Sequence, residues 1–228
     1  MVCLRFEEWE PIYLEILEDF GFSREEDERA AVILSHLVPT KQILDERSLS
    51  HLIGEEVTVI GDAPGLRDQL ARIPPKGTVI AADGATSTCM EAGYLPEIIV
   101  TDLDGCVKDQ IEANLHGSVV IIHAHGDNID ALSEQVPRFE GRIMMTTQSR
   151  PFDSVFNWGG FTDGDRATIM AIHFGARTIN LMGFDFDNPR HKDGGDISIK
   201  KRKLAWARWL TLDLHGAMRG VRPLPIRD

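Results

Sequence analysis

Two aspartates one residue apart, Asp102 and Asp104, follow a short apolar run and precede Gly105. In an extended segment, residues i and i+2 face the same side, roughly 7 Å apart along the strand. Carboxylates so placed repel each other unless a cation lies near them. Without a Cys or paired-His zinc pattern beside them, hard oxygen donors favour Mg²⁺, which keeps several waters and takes further ligands from phosphate. A second acidic turn, Asp127-Asn128, also follows an apolar run and supplies Asp127 as a third expected metal ligand. Just before it stand His123 and His125, suited to phosphate or acid–base contacts, with an ordinary structural histidine as the alternative.

Other segments carry weaker chemical signals. Gly61-Asp62-Ala63-Pro64-Gly65 opens onto a helical pattern, where backbone amides can cradle phosphate at the positive helix end. It is neither a dinucleotide fingerprint nor a P-loop, so a plain turn competes with that reading. In Gly159-Gly160-Phe161-Thr162-Asp163-Gly164-Asp165-Arg166, the Thr162/Asp165 spacing is a capping box. Capping leaves Gly160, Asp163 and Arg166 unexplained. Asn157 and Trp158 suit either a pocket for a flat ring or the core. The polar stretch 187–198 holds Pro189 and Gly194-Gly195 and reads as an active-site lid. Lys200-Lys201-Arg202-Lys203 begins a helix directly after it; such a run is a solvated face or a clamp that closes on phosphates.

The elements that must position these residues follow from apolar periodicity. Short apolar runs at 57–60, 78–81, 98–101, 119–123, 143–146 and 179–182 are buried-looking rather than alternating, as in parallel strands covered on both faces. Helical patterns fill 65–73, 86–92, 130–136, 162–174 and 200–215. Alternation of this kind predicts an α/β fold: a doubly wound, Rossmann-like, mainly parallel sheet of about six strands. The polar turns after the strands then share the carboxyl edge, where such sheets bind ligands. Two helices come first. Phe6, Trp9, Tyr13, Ile16, Leu17 and Phe20 form one stripe, and Ser23 with Glu26 caps a second helix to about residue 38. The expected organisation is an N-terminal helical segment, 1–54, and an α/β catalytic domain, 55–228.

Composition narrows the function. With 24 Lys+Arg against 36 Asp+Glu the net charge is −12, which excludes a general nucleic-acid binder. Three cysteines without CxxC spacing imply no disulfide framework and a reducing cytosol. The amphipathic, acidic start is no signal peptide, and no apolar run spans a bilayer. A cytoplasmic protein with small-molecule partners is expected, without nucleic acid or membrane; a homo-oligomer is left open.

Taken in order, Ala82-Asp83-Gly84-Ala85, the Pro96 to Gly105 run ending Thr101-Asp102-Leu103-Asp104-Gly105, His123-Ala124-His125-Gly126-Asp127-Asn128, Gly160 to Arg166 and Gly183-Phe184-Asp185 resemble the archaeal 6-hydroxymethyl-7,8-dihydropterin diphosphokinases. That family is similar in turn to the catalytic domain of thiamin diphosphokinases, and the resemblance covers about 57–215. The loop Gly61-Asp62-Ala63-Pro64-Gly65-Leu66 departs from the G-x-G-P-S-L pattern of related sequences. The resemblance implies transfer of a pyrophosphoryl group from Mg·ATP to a pterin hydroxymethyl group, with AMP leaving. It implies Mg²⁺ on Asp102, Asp104 and Asp127, and nucleotide or phosphate contacts from Asp83 and Gly84; Gly61, His125, Asn128, Lys200 and Lys203 are further candidates for such contacts from their own positions. It implies phosphate stabilisation by Arg166 and Lys203, and a pterin site around Asp163, Asp185, Gly160 and Thr162. The rival expectations are a thiamin diphosphokinase-like enzyme, a nucleotide-sugar glycosyltransferase, and a nucleotide-binding protein without turnover. The 228 residues leave no room for the β-sandwich of thiamin diphosphokinases, and no acceptor domain for a glycosyltransferase.

Overall fold

Strand-forming runs rich in Val and Ile, each followed by a glycine- or acid-bearing turn, build one parallel sheet. A computed structural model of the chain describes residues 4–188, 196–214 and 220–225. The strands are β1 (Glu56–Ile60), β2 (Thr78–Ala82), β3 (Ile98–Thr101), β4 (Val119–Ala124), β5 (Ile143–Thr147), β6 (Val155–Phe156), β7 (Thr178–Met182) and β8 (Val221–Pro223). They lie in the order β6-β5-β4-β3-β2-β1-β7-β8, and every pairing is parallel.

The sheet has eight strands rather than the expected six. The additions are edge strands of two and three residues, too short for any periodic signal, and Pro223 is tolerable only at such an edge. The order reverses at β1, which lies between β2 and β7. This is the switch point where open α/β sheets leave a crevice.

Helices cover both faces. Val57, Val59, Ile80, Val100, Ile121 and Leu181 pack with Ala167, Met170 and Ala171 of α8 (Asp163–His173) and Leu49 of α3 (Glu46–Leu52). On the other face Ile99, Ile122 and Met145 meet Ala31 and Leu34 of α2 (Arg24–Leu37), Ala113 of α6 (Val107–Leu115) and Leu132 of α7 (Ile129–Gln135). Ile60, Ala81 and Met182 meet α4 (Leu66–Arg72) and α5 (Ala85–Glu91). The aromatic stripe of α1 (Phe6–Phe20) buries Trp9, Tyr13 and Ile16 against Ile169 of α8 and Leu210. Ser23 caps α2 by accepting from the Glu26 amide at 3.3 Å.

The helix expected over 200–215 is α9 (Ile197–Arg208), continued by a π turn at Trp209–Asp213. Residue 215, Cys3 and residues 189–195 of the expected lid lie outside the described residues. Cys89 and Cys106 are free thiols. Among the described residues no helix is long and apolar enough to cross a membrane. Trp158 and Asn157 belong to the framework: Trp158 is in the core, and Asn157 donates to the Gln148 and Ser149 carbonyls.

Candidate active site

Parallel pairing brings the turns after β1, β2, β3, β4, β5 and β7 to one edge. Asp83, with φ 40°, ends β2, while Asp102 and Asp104 follow the adjacent β3. The segment after β3 is not extended as expected. Leu103 takes a left-handed φ of 70° and buries its side chain, so the chain turns and the Asp104 amide donates to Asp102 Oδ1 at 3.2 Å. The result is tighter than an i, i+2 strand pair: Asp83, Asp102 and Asp104 each place an oxygen within 4.8 Å of the others. Among the described residues this is the one acidic group compact enough for a cation, and all its donors are hard oxygens.

The three acids are not equivalent. Asp83 is buried, and its Oδ1 accepts from Thr101 Oγ1 at 2.7 Å, Gln110 Nε2 at 2.9 Å and the Gly105 amide at 3.2 Å. A Cβ at Gly105 would lie 2.3 Å from Asp83 Oδ2, so glycine is required there. Burial, with Asp104 and Asp102 beside it, pushes the Asp83 carboxyl up to about 7. For Asp102 burial acts in the same upward direction, but the His125 imidazole, the Asp104 amide and Lys203 outweigh it and hold the group below the usual carboxylate range. His125 Nε2 lies 3.4 Å from Asp102 Oδ2, while its Nδ1 accepts from the Asp127 amide at 3.3 Å.

A carboxyl whose pKa rises on folding adds stability that is complete below its unfolded pKa and lost as pH climbs through the folded one. The Asp83 contribution should therefore drain between about pH 4 and pH 7. Buried His123 and half-buried His173, both pushed towards the neutral form, act in the opposite direction below pH ~6.5. The expected result is a difference: Asp83→Asn melts above the wild type without divalent metal, by a margin that widens from pH 5 to pH 8. Thermal melts showing a constant or shrinking margin would contradict this origin of the shift.

Two cavities flank the acids. The first, about 260 Å³, is lined by Asp102, Asp104, His123, His125, Asp127, Gln148, Phe22, Phe161 and Lys203. The second, about 240 Å³, sits at the β1/β7 switch point and is lined by Gly61, Asp62, Asp83, Gly84, Gly183, Phe184 and Asp185. Thr162, Asp163, Lys200 and Leu204 line both. In the glycine cavity the backbones are in contact: a Cβ at Gly183, φ 66°, would fall 2.1 Å from the Gly61 carbonyl oxygen. Lys203 Nζ lies 5.8 Å from the Phe22 ring centroid and 5.9 Å from that of Phe161.

Several expected site residues have other work. Asn128 spends its amide on the backbone, donating to the Asp102 carbonyl at 2.9 Å and the His123 carbonyl at 2.8 Å and accepting from the His125 amide. It pins the ends of β3 and β4 together instead of facing a nucleotide. Gly160 is buried at φ 101° and allows contact with the Arg166 backbone, 2.5 Å from where its Cβ would sit. Arg166 lines neither cavity but lies buried beneath them, amid the fields of Asp165, Asp163, Asp102 and Asp27. Asp127 is exposed on the first cavity, outside the three-acid group. Asp185 accepts from Asp187 and Asn188, closing its own turn. Asp163, between the cavities, has its carboxyl raised well above the usual range by burial and by Asp102, Asp83 and Asp104, against the pull of Arg166.

Phe22 and Asp27 carry no motif, and sequence reasoning passed over them; Gln148 entered it only within the Thr146-Thr147-Gln148 turn at a strand's carboxyl end, with no role of its own. The one signal was Asp27 on the apolar side of α2.

Residues 34–191 match a family model described as 6-hydroxymethylpterin diphosphokinase MptE-like. A 6-hydroxymethyl-7,8-dihydropterin pyrophosphokinase from Pyrococcus furiosus is 44% identical over 80% of this chain and 79% of its own length. Proteins of the same name from Methanocaldococcus jannaschii and Methanothermobacter thermautotrophicus are 36% and 44% identical, over 87% and 78% of this chain and 91% and 77% of theirs. Among solved structures, a MAf glycosyltransferase from Magnetospirillum magneticum AMB-1 is similar at 14% identity and a TM-score of 0.49, over 75% of this chain and 34% of that one; the likeness is too slight to bear on activity. The matched region spans every strand from β1 to β7 and both cavities' glycine and acid turns, and on that ground the chain belongs to the MptE-like 6-hydroxymethylpterin diphosphokinase family.

Proposed function

We propose that the protein transfers the terminal pyrophosphoryl group of ATP to the hydroxymethyl oxygen of 6-hydroxymethyl-7,8-dihydropterin, releasing AMP. The observation that carries the reading is the compact triad of carboxylates, Asp83, Asp102 and Asp104, at the meeting of two cavities. The names of the three relatives support the choice of substrates.

The donor set fits Mg²⁺: Asp83, Asp102 and Asp104 would hold the ion, with Asp127 on the wall of the same cavity, and bound there the ion would neutralise the acids and the polyphosphate oxygens. The nucleotide takes the glycine cavity, lined by Gly61, Gly84 and Gly183, at the switch point where open α/β sheets bind ligands. Lys200 and Lys203 carry positive charge to the polyphosphate, with His125 held beside it by Asp102. Asp163, facing both cavities next to Thr162, accepts hydrogen bonds from the pterin. The hydroxymethyl oxygen forms a bond to the β-phosphorus. The bond from that phosphorus to the α,β-bridging oxygen breaks, its electron pair leaves with AMP, and the hydroxyl proton is released. Chemistry of this kind needs alignment and charge neutralisation more than covalent help.

With Mg·ATP and the dihydropterin, the protein is expected to form AMP and the pterin diphosphate in equal amounts, resolved by chromatography. ADP as product would reject attack at the β-phosphorus. AMP formed with thiamin and not with the pterin would reject the acceptor.

A further inference from the structure

Two residues lining the first cavity, His123 and Gln148, carry hydrogen-bond acceptors whose other bonds fix their orientation. His123 is buried in its wall, and its Nδ1 meets Thr146 Oγ1 at 3.1 Å. That hydroxyl gives its own proton to the Ile122 carbonyl, so towards His123 it accepts, and Nδ1 must carry the hydrogen. Nε2 is then a bare lone pair, with no partner among the described residues. Burial and the nearby Arg166 charge keep the ring neutral. A buried acceptor left without a donor is destabilising, and a ligand's N–H would satisfy it.

Gln148 is fixed from the other side. Its Nε2 donates at 2.8 Å to Asp27 Oδ2, on α2. Asp27 is itself buried and held by Tyr13 Oη at 2.7 Å and by the Gly126 amide at 2.8 Å. A carboxylate accepts only, so the amide cannot flip, and Gln148 Oε1 is left to the cavity that the residue lines. The Gln148 carbonyl is also tied down, accepting from Trp9 Nε1 at 2.9 Å. The apolar part of the cavity is Leu204 and two aromatic rings: Phe22, from the α1–α2 turn, and Phe161, both beside Lys203.

We propose that this cavity is the subsite for the pterin ring, with Phe22 and Phe161 as its stacking walls and Gln148 Oε1 and His123 Nε2 as acceptors for the ring's amino and N–H donors. The inference rests on the function proposed above and adds where the acceptor substrate lies and what reads it. A pterin is flat and presents donors along one edge, the complement of two aromatic rings and two preset acceptors. Asp27 acts as a positioning residue, through the Gln148 amide. Phe22 and Asp27 both precede the 34–191 region matched by the family model, so the N-terminal helices contribute specificity to the site.

The test is binding of 6-hydroxymethylpterin, followed by its own fluorescence without nucleotide, beside steady-state kinetics on the full chain. Phe22→Ala and Gln148→Ala should each weaken pterin binding about 10-fold or more, the loss of one stacking face or one fixed acceptor. The KM for ATP should stay within about twofold. Asp27→Asn should weaken pterin binding in the wild type but add nothing in a Gln148→Ala background, because the two act through one amide. A purely structural role for Asp27 would instead add in both backgrounds. Unchanged pterin affinity in both Phe22→Ala and Gln148→Ala, or a loss confined to ATP, would overturn the subsite while the wild type still makes AMP. A wild type that neither binds the pterin nor makes AMP from it would overturn the proposed function itself, and the subsite with it.

Discussion

Asp102→Asn and Asp104→Asn should each lower kcat by roughly 100-fold or more at saturating Mg²⁺ while leaving the fold intact. The expected factor follows from losing about 3 kcal/mol of charge stabilisation at the phosphates, at 1.36 kcal/mol per tenfold. Three carboxylates within 4.8 Å repel one another strongly, and each substitution removes one charge from that group. The same variants should therefore melt at or above the wild-type temperature when no divalent metal is present, the usual trade between stability and a charged site. Activity is measured as AMP release and stability by thermal melts on the same samples. Near-wild-type kcat in both variants would remove the metal role from this pair. A large loss of Tm would instead mark the aspartates as structural.

The second large effect is expected at Arg166. The residue is 2% exposed and its guanidinium lies among Asp165, Asp163, Asp102 and Asp27; the Phe161 carbonyl accepts from its Nη2 at 3.4 Å, and Nε has no partner among the described residues. Burial pushes its pKa down, and the four acids push it back up. Arg166→Met keeps the bulk and removes the charge, leaving buried acids uncompensated. Breaking a buried pair in this way costs about 3–5 kcal/mol, or roughly 6–20 °C of Tm for a chain of this size. The loss should shrink at low pH, where the acids take up protons. A variant that melts within about 2 °C of the wild type at neutral pH would show that the acids do not depend on this cation.

The central sheet was legible because its strands are buried on both faces, and so appear as plain apolar runs such as Val119 to Ile122. Helix α6 was not legible. Its buried positions include Gln110 and Asn114, polar residues that break the apolar period because Gln110 supports Asp83 and Asn114 bonds to the Ser118 and Arg142 carbonyls. Asp102 and Asp104 could be picked from spacing, but Asp83 as their partner depends on β2 lying beside β3, a fact of strand order. That Phe22 meets the Gln148 turn escaped for the same reason: the two reach the first cavity from positions more than 120 residues apart. Asn128 shows the converse: the amide read from an acidic-turn motif as a ligand contact is engaged by backbone carbonyls at the β3 and β4 ends.

The position of β1 also shapes how the chain is made. It sits in the middle of the sheet, but its partner β7 begins 118 residues after β1 ends, at Thr178 against Ile60. While the chain is being synthesised, β2 through β6 can assemble on one side of β1, and its other side stays an open edge until β7 emerges. That edge is Val57, Thr58, Val59 and Ile60, an apolar and strand-prone template for pairing with another chain. The glycine cavity cannot exist before that moment either, since Gly61 must meet Gly183 to form it. Closure of the sheet and creation of the glycine cavity are therefore one event, late in folding and dependent on a long-range contact. A chain released short of β7 would lack the pocket and expose the edge together.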